Sequence, residues 1–487
     1  MSPASYTLDD LQHLDELCFA EAQTLGLAPP ETLFHLVQSE EMYDIAARGL
    51  PGRYSHYQFG RAYEQQKADY DRGRNRIYEL VVNTRPVHAY LLDGNSLVAQ
   101  LLVIAHVLGH AVVFEHSKYF GPADKNILSR VRSATKRIDR YIGEHGRTAV
   151  EDFIDACEAL EYQRSFDQLA KPAVPHDPVW EQKPFDVLFP QDTARRRAEY
   201  EAERARFKTA FPKVPQRDIL AFVEQHARGL EDWQRDVISI VRTEMSYFVP
   251  QMRTQVLNEG VAVTWHNTIL QRLMARDERF TTDDFMEFQS MNAAVLHPKL
   301  DPQRLPDGRV LVRCAGVNPY LLGWHTFAEV ERICTDPTDA EREKWPDWAG
   351  RADPVEKRCE LIQVYDDAAL IAEFLSPRLC ELARLYVNPR TPAELTDLRV
   401  SEEEFKQVRA ELVHQKTTMG VPVIEIVDAD RKGRGELWLE HRHDGIGLDE
   451  EYAKGTLSHL ARLWRRPVVV KSIDRAANDV WYRCEPT

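Results

Sequence analysis

No two cysteines in this chain are placed to hold a metal. The seven (Cys18, Cys157, Cys314, Cys334, Cys359, Cys380 and Cys484) are widely spaced, odd in number and never form CxxC. A thiolate zinc site needs clustering and a disulfide framework needs pairs, so the expectation is reduced thiols in a cytoplasmic protein. Basic residues are also in deficit. Lys and Arg number 62 against 77 Asp and Glu, which leaves −15 and a pI near 5.6. Phosphate contact needs a basic surface, and no sustained basic–aromatic stripe supplies one, so nucleic acid is excluded as a partner. GxGxxG, GxxxxGK[ST] and GxSxG are absent, which removes support for nucleotide-cradling loops and hydrolase elbows. The opening MSPASYTLDDLQHLDEL has no basic-then-apolar order and does not read as a signal peptide. Only Leu97–Phe114 is long and apolar enough to suggest a membrane span. Gln100, His106 and His110 interrupt it, so a helix buried in a core is expected, and no membrane span.

What is present suits a folded core: 43% of residues are hydrophobic and 29% charged. Thr7–Leu25 reads as an amphipathic helix, with Thr7 and Asp10 as a capping box and Leu11, Leu14, Cys18 and Leu25 as its apolar stripe. Residues 77–83 and 87–92 look strand-like, and Asn95 or Ser96 can cap the apolar helix that follows. Residues 166–215 hold seven prolines around the charged run TARRRAEYEAERARFK, which predicts a crossing segment with one exposed helix. Helical patterns then end and restart at Pro250, and Thr282 is placed to cap a further helix. Towards the end, PVIEIVDADRKGRGELWLEHRH, LDEEYAKGTLSHLARLW and PVVVKSI read as a ββαβ unit. The fold class is therefore α+β. A large, mainly helical domain spans 1–391, with the Pro-rich segment packed across it, and a small α/β domain spans 392–487.

His106 and His110 stand four apart on the apolar helix, the spacing by which two imidazoles on one face hold one metal. Gly109 between them removes bulk that would block close approach. Glu259 and His266 lie seven apart on a second helix, about 10 Å along its axis, and share a largely apolar face with Val256, Val263 and Leu270. An ionised glutamate there is costly unless paired or metal-bound. The expected metal ligands are thus His106, His110, Glu259 and His266, with His266 as fourth ligand or as a partner behind the others. Imidazole and carboxylate donors point to zinc or a similar ion. The bland alternatives are hydrogen-bonded core histidines and a glutamate paired with arginine or histidine. HExxH would put a glutamate after the first histidine, but Val107 stands there, so the general base must be sought at Glu244 or Glu115. His441 and His443 read as a solvated strand end, and Asp428-x-Asp430 before Gly433 as a hairpin turn.

SEEMYDIAARGLPGRYSHYQFGRAYE (39–64), YELVVNTRPVHAYLL (78–92), LVIAHVLGH (102–110), PQMRTQVLNEGVAVTWHNTIL (250–270) and GVNPYLLG (316–323) occur in this order. In these motifs the chain resembles the SpoVR family, named for stage V sporulation protein R, over nearly its whole length. The resemblance implies a bacterial cytoplasmic protein linked to spore cortex formation or to stress response, beside a serine kinase and a von Willebrand-type partner. It supplies no catalytic residues. Two functions follow as expectations: a zinc-dependent hydrolase of peptide or amide bonds, or a non-catalytic regulatory or scaffold protein whose His/Glu cluster is structural.

Overall fold

The computed structural model describes residues 6–71, 79–170, 174–184, 186, 188–297, 302–312, 317–391, 393–394, 398–431, 433–474 and 476–486. Ile77 and Tyr78 of the predicted strand, Pro172, Cys314, Pro392 and Lys432 lie outside them. The helices begin with α1 (Leu8–Ala22), α2 (Ser39–Arg48), α3 (Tyr57–Asp71), α4 (Leu97–His116), α5 (Ile127–His145) and α6 (Arg147–Glu158). They continue with α7 (Pro190–Thr209), α8 (Ile219–His226), α9 (Asp232–Arg253), α10 (Gln255–Arg276), α11 (Thr282–Val295) and α12 (Pro319–Thr335). Then come α13 (Asp339–Lys344), α14 (Pro354–Val364), α15 (Asp367–Phe374), α16 (Pro377–Leu382), α17 (Glu402–Thr418) and α18 (Glu450–Trp464). The strands are β1 (Thr32–Val37), β2 (Glu79–Val82), β3 (Val87–Leu92), β4 (Pro302–Arg304) and β5 (Val310–Val312). β6 (Ile424–Arg431), β7 (Glu436–His441), β8 (Val468–Ile473) and β9 (Asp479–Cys484) follow. The chain is an α+β protein.

Two compact units emerge: Met1–Asp139 with Ser246–Gly420, and Arg140–Met245 with Val421–Thr487. The last break falls at Gly420/Val421 and not at 391/392. The physical reason is α17, which buries Phe405, Val408 and Leu412 in the core of the first unit. The Pro-rich segment belongs to the second unit. Its backbone adds to the open edge of β6, with Gln216 bridging Ile426 and Ala429 N–H donating to Phe211 O at 2.6 Å.

In the first unit α4 is the central element. It is apolar on every side, and such a helix is stable only when enclosed. Sixteen of its residues, from Val98 to Phe114, are buried. The span-like run is therefore a core helix, with 83% of its most apolar window buried. Ser96 caps its start by accepting from Ala99 N–H, and α1 packs along it behind the predicted Thr7–Asp10 capping box.

Beside α4 lies a three-stranded sheet in the order β1-β3-β2, with β2 antiparallel to β3 and β1 parallel to it. β1 was not anticipated, because TLFHLV leaves Leu33 and Leu36 exposed and so lacks a clean alternation. Helix α9 does not stop at Pro250. It runs on to Arg253, and the break comes at Thr254, whose N–H and hydroxyl both donate to Pro250 O. Asp367 then caps α10 from a distance by accepting from the N–H groups of Val256 and Leu257, a partner that local sequence does not reveal. The cap of α11 is Thr281 and not Thr282, paired with Asp284 in a capping box.

In the second unit the sheet order is β6-β7-β8-β9. β7 and β8 run parallel, joined by the α18 crossover, and β9 adds antiparallel to β8. The expected ββαβ pattern therefore carries one more strand. DVWYRC alternates in burial and is rich in residues that favour strands.

Candidate metal centre

Close helix crossings assemble the site. A Cβ on Gly109 would lie 2.6 Å from Ala262 Cα, so at that point α4 and α10 pack backbone to backbone. Gly260 and Gly323 do the same for α10 and α12, where a Cβ on Gly323 would lie 2.2 Å from Val256 O. These crossings bring His106 and His110 of α4 against Glu259 and His266 of α10, and Tyr320 of α12 against Glu259.

Glu259 Oε2 lies 3.5 Å from His106 Nε2 and 3.6 Å from His110 Nε2. Glu79, the first residue of β2, places Oε1 3.6 Å from His106 Nε2. The ligand atoms of Glu79, His106 and His110 all lie within 4.8 Å of one another. Donors about 2.0–2.1 Å from one tetrahedral zinc stand roughly 3.3 Å apart, close to the separations found here.

The ring nitrogens facing away from this point are all engaged. His110 Nδ1 donates to Asn258 Oδ1 at 2.7 Å, so its Nε2 carries a lone pair. Asn292 gives its Nδ2 to Asn267 Oδ1 and turns its Oδ1 to His266 Nε2, at 2.9 and 3.0 Å. His266 therefore holds its proton on Nε2, and its Nδ1 accepts from His106 Nδ1 at 2.9 Å. That leaves His106 Nε2 as a second lone pair directed at the carboxylates. Two lone pairs and two carboxylates around one point repel unless a proton or a cation joins them. Glu259 Oε2 is buried there without a hydrogen-bond partner. His266 stands behind His106 and supports it, in the way outer-shell groups orient metal-binding imidazoles.

Titration behaviour follows the same geometry. Burial raises the proton affinity of Glu79, with Glu259 adding to it and His106 opposing. Burial likewise opposes a proton on His106, but Glu79 and Glu259 outweigh it and hold that imidazole above its ordinary value. In Glu259 burial is outweighed by His110, His106 and Tyr320, and the carboxyl falls below the usual range. His110 is lowered by burial, and His266 is pushed down to about 3 by burial and then by His106.

One side of the cluster opens on a cavity of about 570 Å³, whose lining includes Glu79, His110, Glu259 and Tyr320, with Gln251 and Gln255 beyond. Glu244, the expected base, is buried on α9 within the second unit and does not line this cavity. Glu115 is paired with Arg85. Glu79 was missed. Its only sequence signal was a carboxylate at the start of an otherwise apolar strand. His441 is buried and bonded to Ser472 Oγ at 2.9 Å, and Asp430 closes the β6–β7 turn by accepting from Gly435 N–H.

An α+β fold with imidazoles and carboxylates converging at a helix crossing defines the class of molecule. The chain belongs to the SpoVR family: the family model described as SpoVR like protein matches residues 5–421, and the SpoVR-like C-terminal domain matches residues 422–475. It is similar to the uncharacterized protein YcgB of Escherichia coli (strain K12), with 31% identity over 474 residues, covering 93% of this chain and 89% of that one. No solved structure matches it.

Proposed function

We propose that His106, His110 and Glu259 hold a divalent metal ion and that the centre hydrolyses an amide or peptide bond, with Glu79 as its proton acceptor. The carrying observation is Glu259 Oε2, buried and unbonded between two imidazole nitrogens whose outer faces are already engaged. A borderline ion such as zinc suits this donor set and, when bound, supplies a Lewis acid for the scissile carbonyl. Glu79 borders the cavity, and its raised proton affinity fits it to take a proton and return it. It stands in for the helix glutamate that Val107, itself fully buried, replaces. Gln251, Gln255 and Asn258 line the same cavity with amides that can donate to and accept from a peptide backbone. Membership of the SpoVR family supports, as a further part of this proposal, a cytoplasmic role in spore-cortex formation or stress response beside a serine kinase and a von Willebrand-type partner.

A second reading has its own support. A proton on His106 Nε2 would also satisfy Glu79 and Glu259, making the cluster a structural element of a regulatory or scaffold protein. Elemental analysis of tag-free protein purified without added metal separates the two. On the metal reading Glu259→Gln loses the ion, while Glu79→Gln keeps it and loses peptide hydrolysis. Metal-free wild-type protein whose stability ignores chelator would leave the structural reading standing.

A further inference from the structure

A second cavity, of about 350 Å³, lies in the first unit among α10, α11, α12 and α14. Asn267 and Asn292 line it, and each is 8% exposed. Asn292 is satisfied at both ends, but Asn267 Nδ2 is buried with no hydrogen-bond partner. An amide N–H left unpaired in a protein interior costs roughly 1–3 kcal/mol, so such a donor beside a cavity points to an acceptor that enters it.

Two opposite charges line the same space. Arg358 of α14 and Glu331 of α12 make neither an ion pair nor a side-chain hydrogen bond among the described residues. The Arg358 guanidinium lies over the Trp265 ring, 5.7 Å from its centroid, which positions the charge without neutralising it. A guanidinium fork matches a carboxylate, and a carboxylate matches an ammonium. A ligand carrying both charges suits a cavity lined by both residues, with Thr268 and Asn267 offering neutral hydrogen bonds. The volume is at the small end of ligand pockets, which favours a single compact molecule over a chain.

We propose that this cavity binds a free α-amino acid as its zwitterion, the carboxylate on Arg358, the ammonium on Glu331, and Asn267 Nδ2 donating to the ligand. The site is distinct from the metal centre and needs no ion. Asn292, which lines the cavity, also holds His266, so an occupant touches the far end of the chain of hydrogen bonds that begins at His106.

Titration calorimetry of the full chain with L-glutamine, whose side-chain amide suits the asparagine lining, tests the proposal. Saturable binding is expected, weakened at least tenfold when the ammonium is acetylated in N-acetyl-L-glutamine or the carboxylate is capped in L-glutaminamide. Glu331→Gln and Arg358→Gln should each weaken L-glutamine by a similar factor and leave metal content unchanged. Arg358 packs on a buried tryptophan and its replacement can unfold the protein, so the exposed Glu331 carries the test alone if needed. Wild-type affinity in Glu331→Gln would overturn the proposal. So would equal binding of the acetylated ligand, or no saturation by L-glutamine, glycine or L-alanine up to about 10 mM.

Discussion

His106 and His110 sit where three helices cross and two carboxylates close on them, whereas His35 and His88 face each other across the β1–β3 strand pair. The second pair is the one whose rings bond to each other directly. His35 Nε2 lies 2.7 Å from His88 Nδ1, and the rings stack with centroids 5.0 Å apart. Both rings are part-exposed, and among the described residues no carboxylate pairs with either. Water can satisfy what remains. At the helix crossing the rings are buried and their outer nitrogens are committed to Asn258 and His266, so only the side facing the cavity is left to receive a partner. Proximity of imidazoles alone makes a ring stack. Converging carboxylates, together with tautomers held from behind, are what the proposed metal site adds.

The largest test of that contrast is to remove one ring from each pair. His110→Ala should lower bound metal from about one ion per chain to near zero, since three protein ligands are the usual minimum. His88→Ala should leave it unchanged, and equal losses in elemental analysis would erase the distinction. The packing beneath the site can be probed next. Gly109→Ala puts a methyl 2.6 Å from Ala262 Cα and should cost roughly 3 kcal/mol in denaturant unfolding, as overpacking does. Gly60→Ala on the exposed α3, where a Cβ meets nothing within 4 Å, should cost nothing measurable.

Acid should then probe the buried cluster in chelated protein. His266, held at about 3, stays neutral in the fold while the unfolded chain takes its proton near the ordinary value of about 6.5. Its contribution is therefore present above pH 6.5 and is lost as pH falls towards 3; His110 acts in the same direction, and Glu259 follows lower down. His106 and Glu79 oppose, being raised: their contribution is kept in acid and lost as pH rises through their folded values. The large depression of His266 sets the sign: stability should drop between pH 7 and 4, and the drop should shrink in His266→Gln. A flat profile would remove the buried cluster as the origin of acid sensitivity. The smallest effect is expected from the support behind His110: Asn258→Ala should weaken metal affinity about 10–100-fold in a chelator competition. Unchanged affinity would mean that the amide does not orient the ring.

Much of this was legible along the chain, and what was not has a physical cause. Helical periodicity put His106 beside His110 and Glu259 on the face of His266, because spacing along one helix is a local property. The apolar run of α4 announced burial, and Gly109 announced a close crossing, since only a missing Cβ admits another backbone at that range. Thr7 and Ser96 announced their caps, whose partners lie three residues away. Glu79 had no such signal. It reaches the site only because β2 pairs with β3 beside α4, a contact between segments 27 residues apart in sequence that no period records. The cap of α10 by Asp367, the placing of α17 in the first unit and the edge pairing of Phe211 and Gln216 on β6 are of the same kind. Residue types and periods determined which helices form and which polar groups had to find partners inside them. Only the tertiary packing decided which partners those were, because a buried charge is satisfied by whatever group the fold brings within reach and not by its neighbours in sequence.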